Sequence, residues 1–484
     1  MGTSLALSGR VARALRRPRR PAARPGEPVG QRAVVIGGSI AGTLAARVLS
    51  ESYGEVVVVD RDEVLGVAGP RRGVPHGAHA HGLHARGYHI LSELFPNLLD
   101  ETRELAGLTV RDFGGMRWYF DGRPIRPADT GLRSIAGSRP VLENYLRNRV
   151  AALPNVTYRQ STEVAGLLTT PDRARVIGVR LREGTGAELD LAADLVVDTA
   201  GRGSRTPAWL AELGYERPPV ERVKIGLAYT TRSFRRRPGT FGPPQAINPV
   251  ASPNHPRGAF FGQAITGDCR LSLTGILGDH PPADDEGFLE YTRSLPVPEI
   301  YEAIRDAEPT SEAATFTVPA SVWVHYERLT RFPDRLVVLG DAVCSFNPVY
   351  GQGMTVAAMM AMALRERLRS GGHPDSLALA TAFARAITDA WRISTRGDLD
   401  FPGVPGERPP RVRLFNAYMR RLQYATTKDP AATTALMRVT GLVDRPGKLW
   451  RPALVARVLW RSRDLPATNG ATTTRPASPV STAV

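Results

Sequence analysis

The sequence predicts an α/β fold in which a layer of parallel strands and helices is assembled from separated segments of the chain. Units of strand, glycine-containing turn and helix occur at 33–51, 194–213 and 335–369. Between 216 and 318, short alternating or β-branched runs divided by Pro and Gly turns indicate a mostly antiparallel sheet. After 375 the pattern is helical again. We therefore expect a parallel α/β domain with an inserted β-rich domain and C-terminal helices.

These changes of pattern divide the 484 residues into six predicted segments. The two ends are poor in apolar residues, and the first is rich in Arg, Pro and Ala, so both are expected to be disordered. The predicted segments are a disordered basic tail at 1–30, the first part of the α/β domain at 31–215, the β-rich insert at 216–317, the second part of the α/β domain at 318–400, a helical region at 401–463 and a disordered tail at 464–484.

The chain carries a formal net charge of +16, and its basic residues are almost all arginines. Such a charge fits nucleic acid, an acidic surface or an anionic cofactor. The densest arginines lie in the predicted N-terminal tail, and no basic stripe interleaved with aromatic residues is present, so we expect no nucleic-acid partner.

Cysteine usage and apolar runs indicate a cytoplasmic protein. Only Cys269 and Cys344 occur, with no CxxC motif, which fits a reducing compartment. No apolar segment follows the N-terminal arginines as a secretory signal requires. The longest apolar run, near 354–364, is shorter than the ~20 residues that span a bilayer. The amphipathic stretch at 448–463 fits a helix packed on the domain better than one lying on a membrane.

The first strand–turn–helix unit contains a dinucleotide-binding pattern. Its turn consists of Gly37, Gly38, Ser39, Ile40, Ala41 and Gly42. Gly37 permits the tight turn and Gly42 a close helix–strand approach, while Ser39 replaces the usual second glycine. The helix that follows offers free N–H groups to a pyrophosphate. Asp60, which ends the second strand and is followed by Arg61, has the spacing of a carboxylate that binds a ribose.

The third unit has features that a nicotinamide dinucleotide does not need. Asp341 stands at a strand end, and a loop and a second helix N-terminus follow. In a flavin site, a carboxylate can bind the ribityl hydroxyls and a helix N-terminus can stabilise negative charge on the reduced ring. We therefore predict FAD.

"GDA…NP…GQGM" after "GGSIAG" resembles the FAD-dependent monooxygenases of the p-hydroxybenzoate-hydroxylase fold, including bacterial polyether epoxidases and squalene epoxidase. The stretches "RRGVPHGAHAHGL", "SRPVLENYLRNRV" and "DLVVDTAGRGSRTPAWLAELGY" extend the resemblance over about 32–463. It implies a Rossmann-like, GR2-type FAD-binding domain. It also implies that Asp60 holds the adenosine ribose, that Arg72 and Arg139 face the pyrophosphate, that Val164 contacts adenine through its backbone and that Asp341 holds the ribityl chain. The residues that the resemblance places along the flavin ring or in the loop before it are Pro348, Gly351, Gln352, Gly353 and Met354.

Alternatives remain for two of these residues. Asp341 is also suited to capping a helix N-terminus. Arg139 would equally fit a solvated position at the start of a helix.

The same resemblance implies an activity. One atom of O₂ would pass, through a flavin C4a-hydroperoxide, to an apolar small molecule, by epoxidation or hydroxylation. A polyketide or terpenoid of secondary metabolism, as in antibiotic biosynthesis, is the expected substrate class, because the insert is rich in apolar runs. The alternative is an FAD-dependent reductase or dehydrogenase of the geranylgeranyl-reductase type.

The source of electrons is the point where the sequence departs from the family pattern. Many of these hydroxylases have Ala-Asp-Gly where this chain has Thr199-Ala200-Gly201. The usual aspartate helps to hold both flavin and nicotinamide. Both NAD(P)H and a partner flavin reductase are therefore kept as electron sources.

Five of the nine histidines lie between residues 76 and 89. A zinc site needs three or four converging ligands, usually with a thiolate or carboxylate among them. This stretch has neither, so we expect no metal. His79, His81 and Tyr350 are the candidates for the substrate pocket, and no residue is assigned a catalytic role from sequence.

Overall fold

The structure, a computed structural model, describes residues 28–466 apart from 106–107, 185, 238, 242–245 and 265–266. The predicted tails at 1–30 and 464–484 therefore lie, except for 28–30 and 464–466, outside the described residues. The strands are β1 (Gly30–Ile36), β2 (Tyr53–Val59), β3 (His81–Leu83), β4 (Leu108–Asp112), β5 (Arg117–Phe120), β6 (Arg123–Pro124), β7 (Arg133–Gly137), β8 (Val156–Arg159), β9 (Thr162–Thr169), β10 (Val176–Glu183), β11 (Glu188–Ala192), β12 (Leu195–Asp198), β13 (Val220–Phe234), β14 (Ala246–Val250), β15 (Gly258–Gln263), β16 (Cys269–Gly275), β17 (Ala314–Val324), β18 (Leu336–Val338) and β19 (Cys344–Ser345).

The helices are concentrated around the first sheet and at the C-terminal end of the described chain. They are α1 (Ile40–Leu49), α2 (Ala85–Leu94), α3 (Leu98–Glu104), α4 (Arg139–Ala151), α5 (Thr206–Glu212), α6 (Asp285–Arg293), α7 (Pro298–Ile304), α8 (Gly353–Arg369), α9 (Ser376–Asp398), α10 (Pro410–Thr426), α11 (Pro430–Thr440) and α12 (Pro452–Arg461). None of those helices combines the length and the apolar composition needed to cross a membrane.

A five-stranded parallel sheet forms the centre of the α/β domain, in the order β18-β12-β1-β2-β8. Its strands are short apolar runs that are buried on both faces, as in β1, because helices cover one side and the sheet β11-β10-β9 covers the other. The three predicted strand–turn–helix units supply β1, β12 and β18. Their carboxyl ends meet at one edge of this sheet, where ligands of open α/β sheets bind. The predicted fold class is confirmed.

The predicted β-rich insert forms most of an eight-stranded sheet in the order β19-β17-β13-β16-β15-β14-β5-β6, antiparallel except for the β14–β5 pair. The sheet extends beyond the predicted bounds of 216–317. It takes β5 and β6 from the first part of the α/β domain, and β17 runs on to Val324. Strands of two to four residues carry too little periodicity to be assigned from sequence, and only pairing reveals them.

A fourth sheet, β3-β7-β4, is antiparallel, and its strands come from the part of the chain between β2 and β8. At the C-terminal end, α9 packs on α8, and α10, α11 and α12 surround a separate apolar cluster. Val458 of α12 is buried in that cluster, whereas Leu459 and Trp460 are exposed. The stretch at 448–463 is therefore packed on the domain along one side.

Candidate functional site

The glycine turn between β1 and α1 is shaped by two close approaches. Gly37 adopts a φ of +101°, a region that favours glycine. A Cβ on Gly42 would lie 1.7 Å from the carbonyl oxygen of Gly37, so only glycine lets α1 start this close to the turn. Ser39 precedes α1 in an extended conformation and makes no side-chain cap hydrogen bond. Its hydroxyl instead accepts a hydrogen bond from Nη2 of Arg71 at 2.8 Å.

Asp60 joins the end of β2 to the same turn. Its carboxylate accepts hydrogen bonds from the backbone N–H of Gly38 at 2.6 Å and from that of Asp62 at 2.9 Å. Arg61, the residue that follows it, is exposed. The carboxylate predicted for ribose binding thus stands beside the glycine turn.

Three arginines surround one buried carboxylate, that of Glu143 on α4. Arg71 donates to it from Nη2 at 3.2 Å, Arg139 from Nε at 2.9 Å and Arg147 from Nη1 at 3.1 Å. Burial by itself raises the pKa of Glu143, but the three guanidinium groups outweigh that effect and hold its pKa at about 2. Arg71 also lies near the carboxylates of Asp60 and Asp62, with Nη1–Oδ2 distances of 3.9 and 3.6 Å, so the cluster is linked to the residues beside the N-terminus of α1.

The adjacent residues Arg71 and Arg72 differ in exposure, and only the first belongs to this cluster. The sequence indicates Arg72 for the pyrophosphate side, but Arg72 is exposed, and the buried guanidinium belongs to Arg71, whose side chain is 5% exposed. Adjacent residues in an irregular segment carry no periodicity that shows which one points inward. Arg139 also donates from Nη1 to Nε2 of His76 at 2.6 Å, so it is not a solvated helix-start residue.

Asp341 lies in a 3-10 turn, Gly340–Ala342, that follows β18. Burial raises its pKa, and the positive charges of Arg139 and Arg202 lower it. A Cβ on Gly353 would lie 3.8 Å from Oδ1 of Asp341, so the carboxylate stands at the start of α8. The N-cap residue of α8 is Gln352, whose side chain makes no cap hydrogen bond. The helix-cap alternative for Asp341 therefore does not apply to α8.

The loop before α8 is held from two sides. Nε2 of His84 lies 2.7 Å from the carbonyl oxygen of Tyr350. Asp398, at the end of α9, accepts hydrogen bonds at Oδ1 from Nδ2 of Asn347 at 2.8 Å and from the hydroxyl of Tyr350 at 3.1 Å. Burial raises the pKa of Asp398 to about 7. No motif in the sequence indicates Asp398, which lies far from the loop along the chain.

The residues predicted along the flavin ring differ in exposure. Pro348 is exposed, Gly351 adopts a φ of +64°, and Met354 is buried. Gln352 is also buried, and its Oε1 has no hydrogen-bond partner among the described residues. Such an atom is available to a bound group.

The histidine-rich loop connects the α/β domain to the eight-stranded sheet. Nδ1 of His79 lies 2.7 Å from the hydroxyl of Thr231 on β13, which in turn donates to Ser272 on β16 at 2.7 Å. Nδ1 of His81 lies 3.0 Å from the carbonyl oxygen of His79. Burial is the main cause that lowers the pKa of His79 to about 4 and that of His81 to about 3, so both are neutral at pH 7. Among the described residues, no group of three potential ligands could hold a metal ion.

A cavity lies between the sheet β3-β7-β4 and the eight-stranded sheet. Its lining includes His81, Arg111 of β4, Ser134 of β7, Phe260 of β15 and Arg270 of β16. Of the predicted pocket residues, His81 lines this cavity, whereas His79 and Tyr350 do not.

Two further positions singled out in the sequence, Val164 and Ala200, differ in exposure. Val164 is a buried residue of β9, paired with Leu181. Ala200 is exposed after β12. The nearby Asp198 is buried and accepts hydrogen bonds from the backbone of Ala200 and the hydroxyl of Thr206, so its carboxylate is used within the turn that follows β12.

Comparison with known proteins gives concordant matches. The family described as "FAD binding domain" matches residues 31–371. Protein Rv3254 of Mycobacterium tuberculosis is 35% identical over 433 residues, which cover 85% of this chain and 90% of that protein.

Solved structures with low sequence identity share the fold. A flavoprotein/dehydrogenase from Cytophaga hutchinsonii superimposes with a TM-score of 0.66 and 12% identity, covering 90% of this chain and 98% of that one. PqsL of Pseudomonas aeruginosa, described as "a probable FAD-dependent monooxygenase", gives a TM-score of 0.54 and 20% identity, covering 84% and 98%. PqsL has also been solved in complex with 2-aminobenzoylacetate.

Proposed function

The chain belongs to the FAD binding domain family, and from that premise we propose that it is an FAD-dependent monooxygenase acting on a small organic molecule. One observation carries this proposal. The glycine turn before α1, the arginine cluster around Glu143 and the carboxylate of Asp341 at the start of α8 all lie at the carboxyl edge of one parallel sheet. A nucleotide with a pyrophosphate and a hydroxylated chain fits this arrangement.

The residues at this edge fit FAD in charge and in shape. We propose that Asp60 binds the adenosine ribose, that the backbone of Val164 contacts adenine, and that Ser39 with Arg71 and Arg139 faces the pyrophosphate. Asp341 would hold the ribityl chain. The oxygen of Gln352 that lacks a partner and the N–H groups at the start of α8 would face the flavin ring.

Bound FAD supplies the activation of O₂, of which one oxygen atom enters the substrate and the other leaves as water, with two electrons from NAD(P)H or from a partner flavin reductase. The chain binds and orients the cofactor and the substrate and excludes water from the space between them. Neutral His79 and His81 order the loop beside this space. An epoxidation requires no strong base from the protein.

The proposed substrate has an apolar body, of the polyketide or terpenoid class used in secondary metabolism, and undergoes epoxidation or hydroxylation. Support comes from the apolar part of the cavity lining, to which Met116 and Phe260 contribute. PqsL, which shares the fold, binds a small organic molecule, 2-aminobenzoylacetate. Ala200, exposed where an aspartate is common, favours a partner reductase as electron donor. The free, buried Cys269 and Cys344 fit a cytoplasmic location.

The test begins with reconstitution of the purified protein with FAD. The visible flavin spectrum should appear in the protein fraction, and its absence would end the proposal. Candidate polyketides and terpenoids are then offered with reduced flavin under ¹⁸O₂. Incorporation of one ¹⁸O atom per product supports a monooxygenase, whereas conversion without oxygen uptake would identify a reductase instead.

A further inference from the structure

We propose that the substrate carries a carboxylate and that Arg111 and Arg270 bind it in the cavity between the two sheets. This inference rests on the proposed function and narrows its substrate class. It combines three observations: the two arginines come from the two sheets that line one cavity, neither has an acidic partner among the residues that the structure describes, and the other described lining residues are neutral.

The two guanidinium groups come from different sheets. Arg111 belongs to β4 of the sheet β3-β7-β4, and Arg270 belongs to β16 of the eight-stranded sheet. The same cavity reaches His81 and Ser138, and Ser138 is the N-cap residue of α4, directly before Arg139. An anion held by both arginines would therefore be bound close to the proposed cofactor edge of the molecule.

Neither arginine is neutralised within the part of the chain that the structure describes. Arg111 forms no ion pair and donates no side-chain hydrogen bond there, and Arg270 donates only a long bond, of 3.4 Å, to Ser233. Comparable partly buried arginines behave differently. Arg365 is paired with Glu51 at 2.7 Å and Arg257 with Asp279 at 2.7 Å.

Burial without a carboxylate is unfavourable for a guanidinium group. It lowers the pKa of Arg111 and that of Arg270, and no opposite charge offsets it at either group. A bound carboxylate would offset this cost of burial, because its two oxygens accept charge-assisted hydrogen bonds from the planar donors of arginine.

The remaining lining indicates an organic acid. No Asp or Glu is among the described residues that line the cavity, and the charged side chains among them are the two arginines. Met116, Phe260 and Ala136 provide apolar surface, and Thr109, Ser134 and Gln263 add neutral polar groups. A planar acid group attached to an apolar body uses both parts of this surface, whereas a free inorganic anion would use only the arginines.

The test uses the FAD-loaded protein and pairs of ligands that differ only in charge. Aromatic and aliphatic carboxylates of increasing size, each with its primary amide, are titrated and followed by changes in the visible flavin spectrum and in the melting temperature. Acids should bind more tightly than their amides. Arg111→Gln and Arg270→Gln should each weaken binding of the acid by about 10- to 100-fold and leave the amide unchanged. Arg133→Gln, an exposed arginine on β7, is the matched control and should change neither.

Three other outcomes would overturn this inference and leave the proposed function unaffected, provided that the flavin spectrum is intact. These outcomes are equal binding of acids and amides, equal binding of acids to the wild type and to both variants, and competition by inorganic phosphate as strong as that by the organic acids. A higher KM for NADPH with unchanged acid binding would assign the two arginines to the nicotinamide cofactor instead. Loss of FAD from the wild type would refute the proposed function itself.

Discussion

Replacement of Glu143 by Gln removes the buried carboxylate that accepts hydrogen bonds from all three of Arg71, Arg139 and Arg147. A carboxyl with a pKa of about 2 in the folded protein and an ordinary value of 4.5 contributes about 3 kcal/mol to stability at neutral pH. That contribution is fully present above pH 4.5 and is lost as the pH falls toward 2. We therefore expect Glu143→Gln to lower the free energy of unfolding of the FAD-free protein by about 3 kcal/mol at pH 7.

Bound FAD changes this expectation in a specific direction. If the arginine cluster faces the pyrophosphate, the phosphate charges replace part of what Glu143 supplied. FAD should then stabilise Glu143→Gln more than it stabilises the wild type. Urea unfolding followed by tryptophan fluorescence, with and without FAD, measures both differences. Glu104→Gln, at an exposed position on α3, serves as the control and should stay within about 0.5 kcal/mol of the wild type.

Two results would refute this reasoning. A Glu143→Gln protein as stable as the Glu104→Gln control at pH 7 would show that the three guanidinium groups do not depend on the carboxylate. A stability loss of equal size at pH 7 and at pH 3 would show that it does not arise from the ionised form of Glu143.

The remaining predictions concern single positions around the same site. Arg71→Gln should weaken FAD binding by about 10- to 100-fold in a fluorescence titration. Arg72→Gln, at the exposed neighbouring position, should leave FAD binding unchanged. Equal effects of the two substitutions would contradict the assignment of Arg71 to the pyrophosphate. Burial raises the pKa of Asp398 to about 7, so its protonated carboxyl adds stability at pH 4 that is lost as the pH rises through 7. Asp398→Asn should therefore raise the melting temperature at pH 8, by the equivalent of up to about 4 kcal/mol relative to the wild type. At pH 4 the same substitution should raise it little. Ala200→Asp should change the rate of flavin reduction by NADPH more than it changes FAD affinity; stopped-flow reduction and FAD titration separate the two, and a change in FAD affinity alone would be inconsistent with the role given to this position.

Much of the fold is visible in local sequence patterns. The apolar run of β1, the glycine turn that follows it and Asp60 at the end of β2 lie within 31 residues, and strand, turn and helix preferences act over that range. The same holds for the segment around Asp341. The family resemblance, carried by these motifs, is confirmed by the match over residues 31–371.

The bounds of the β-rich unit were less predictable, since they depend on pairing between distant strands. β5 joins β14 across more than a hundred residues, and its four residues alone do not distinguish a strand from a loop. The inward direction of Arg71 rather than Arg72 depends in the same way on Glu143, which lies 72 positions further along the chain.

By itself the sequence determined the α/β class, the inserted sheet and the dinucleotide turn, because each depends on residues that are neighbours along the chain. Only the tertiary structure decided which charges meet. It placed three arginines around Glu143, Asp398 beneath the loop at Tyr350, and Arg111 opposite Arg270 in one cavity. Coulomb forces and desolvation act on groups according to their neighbours in space, and the pKa shifts of this site follow from those neighbours.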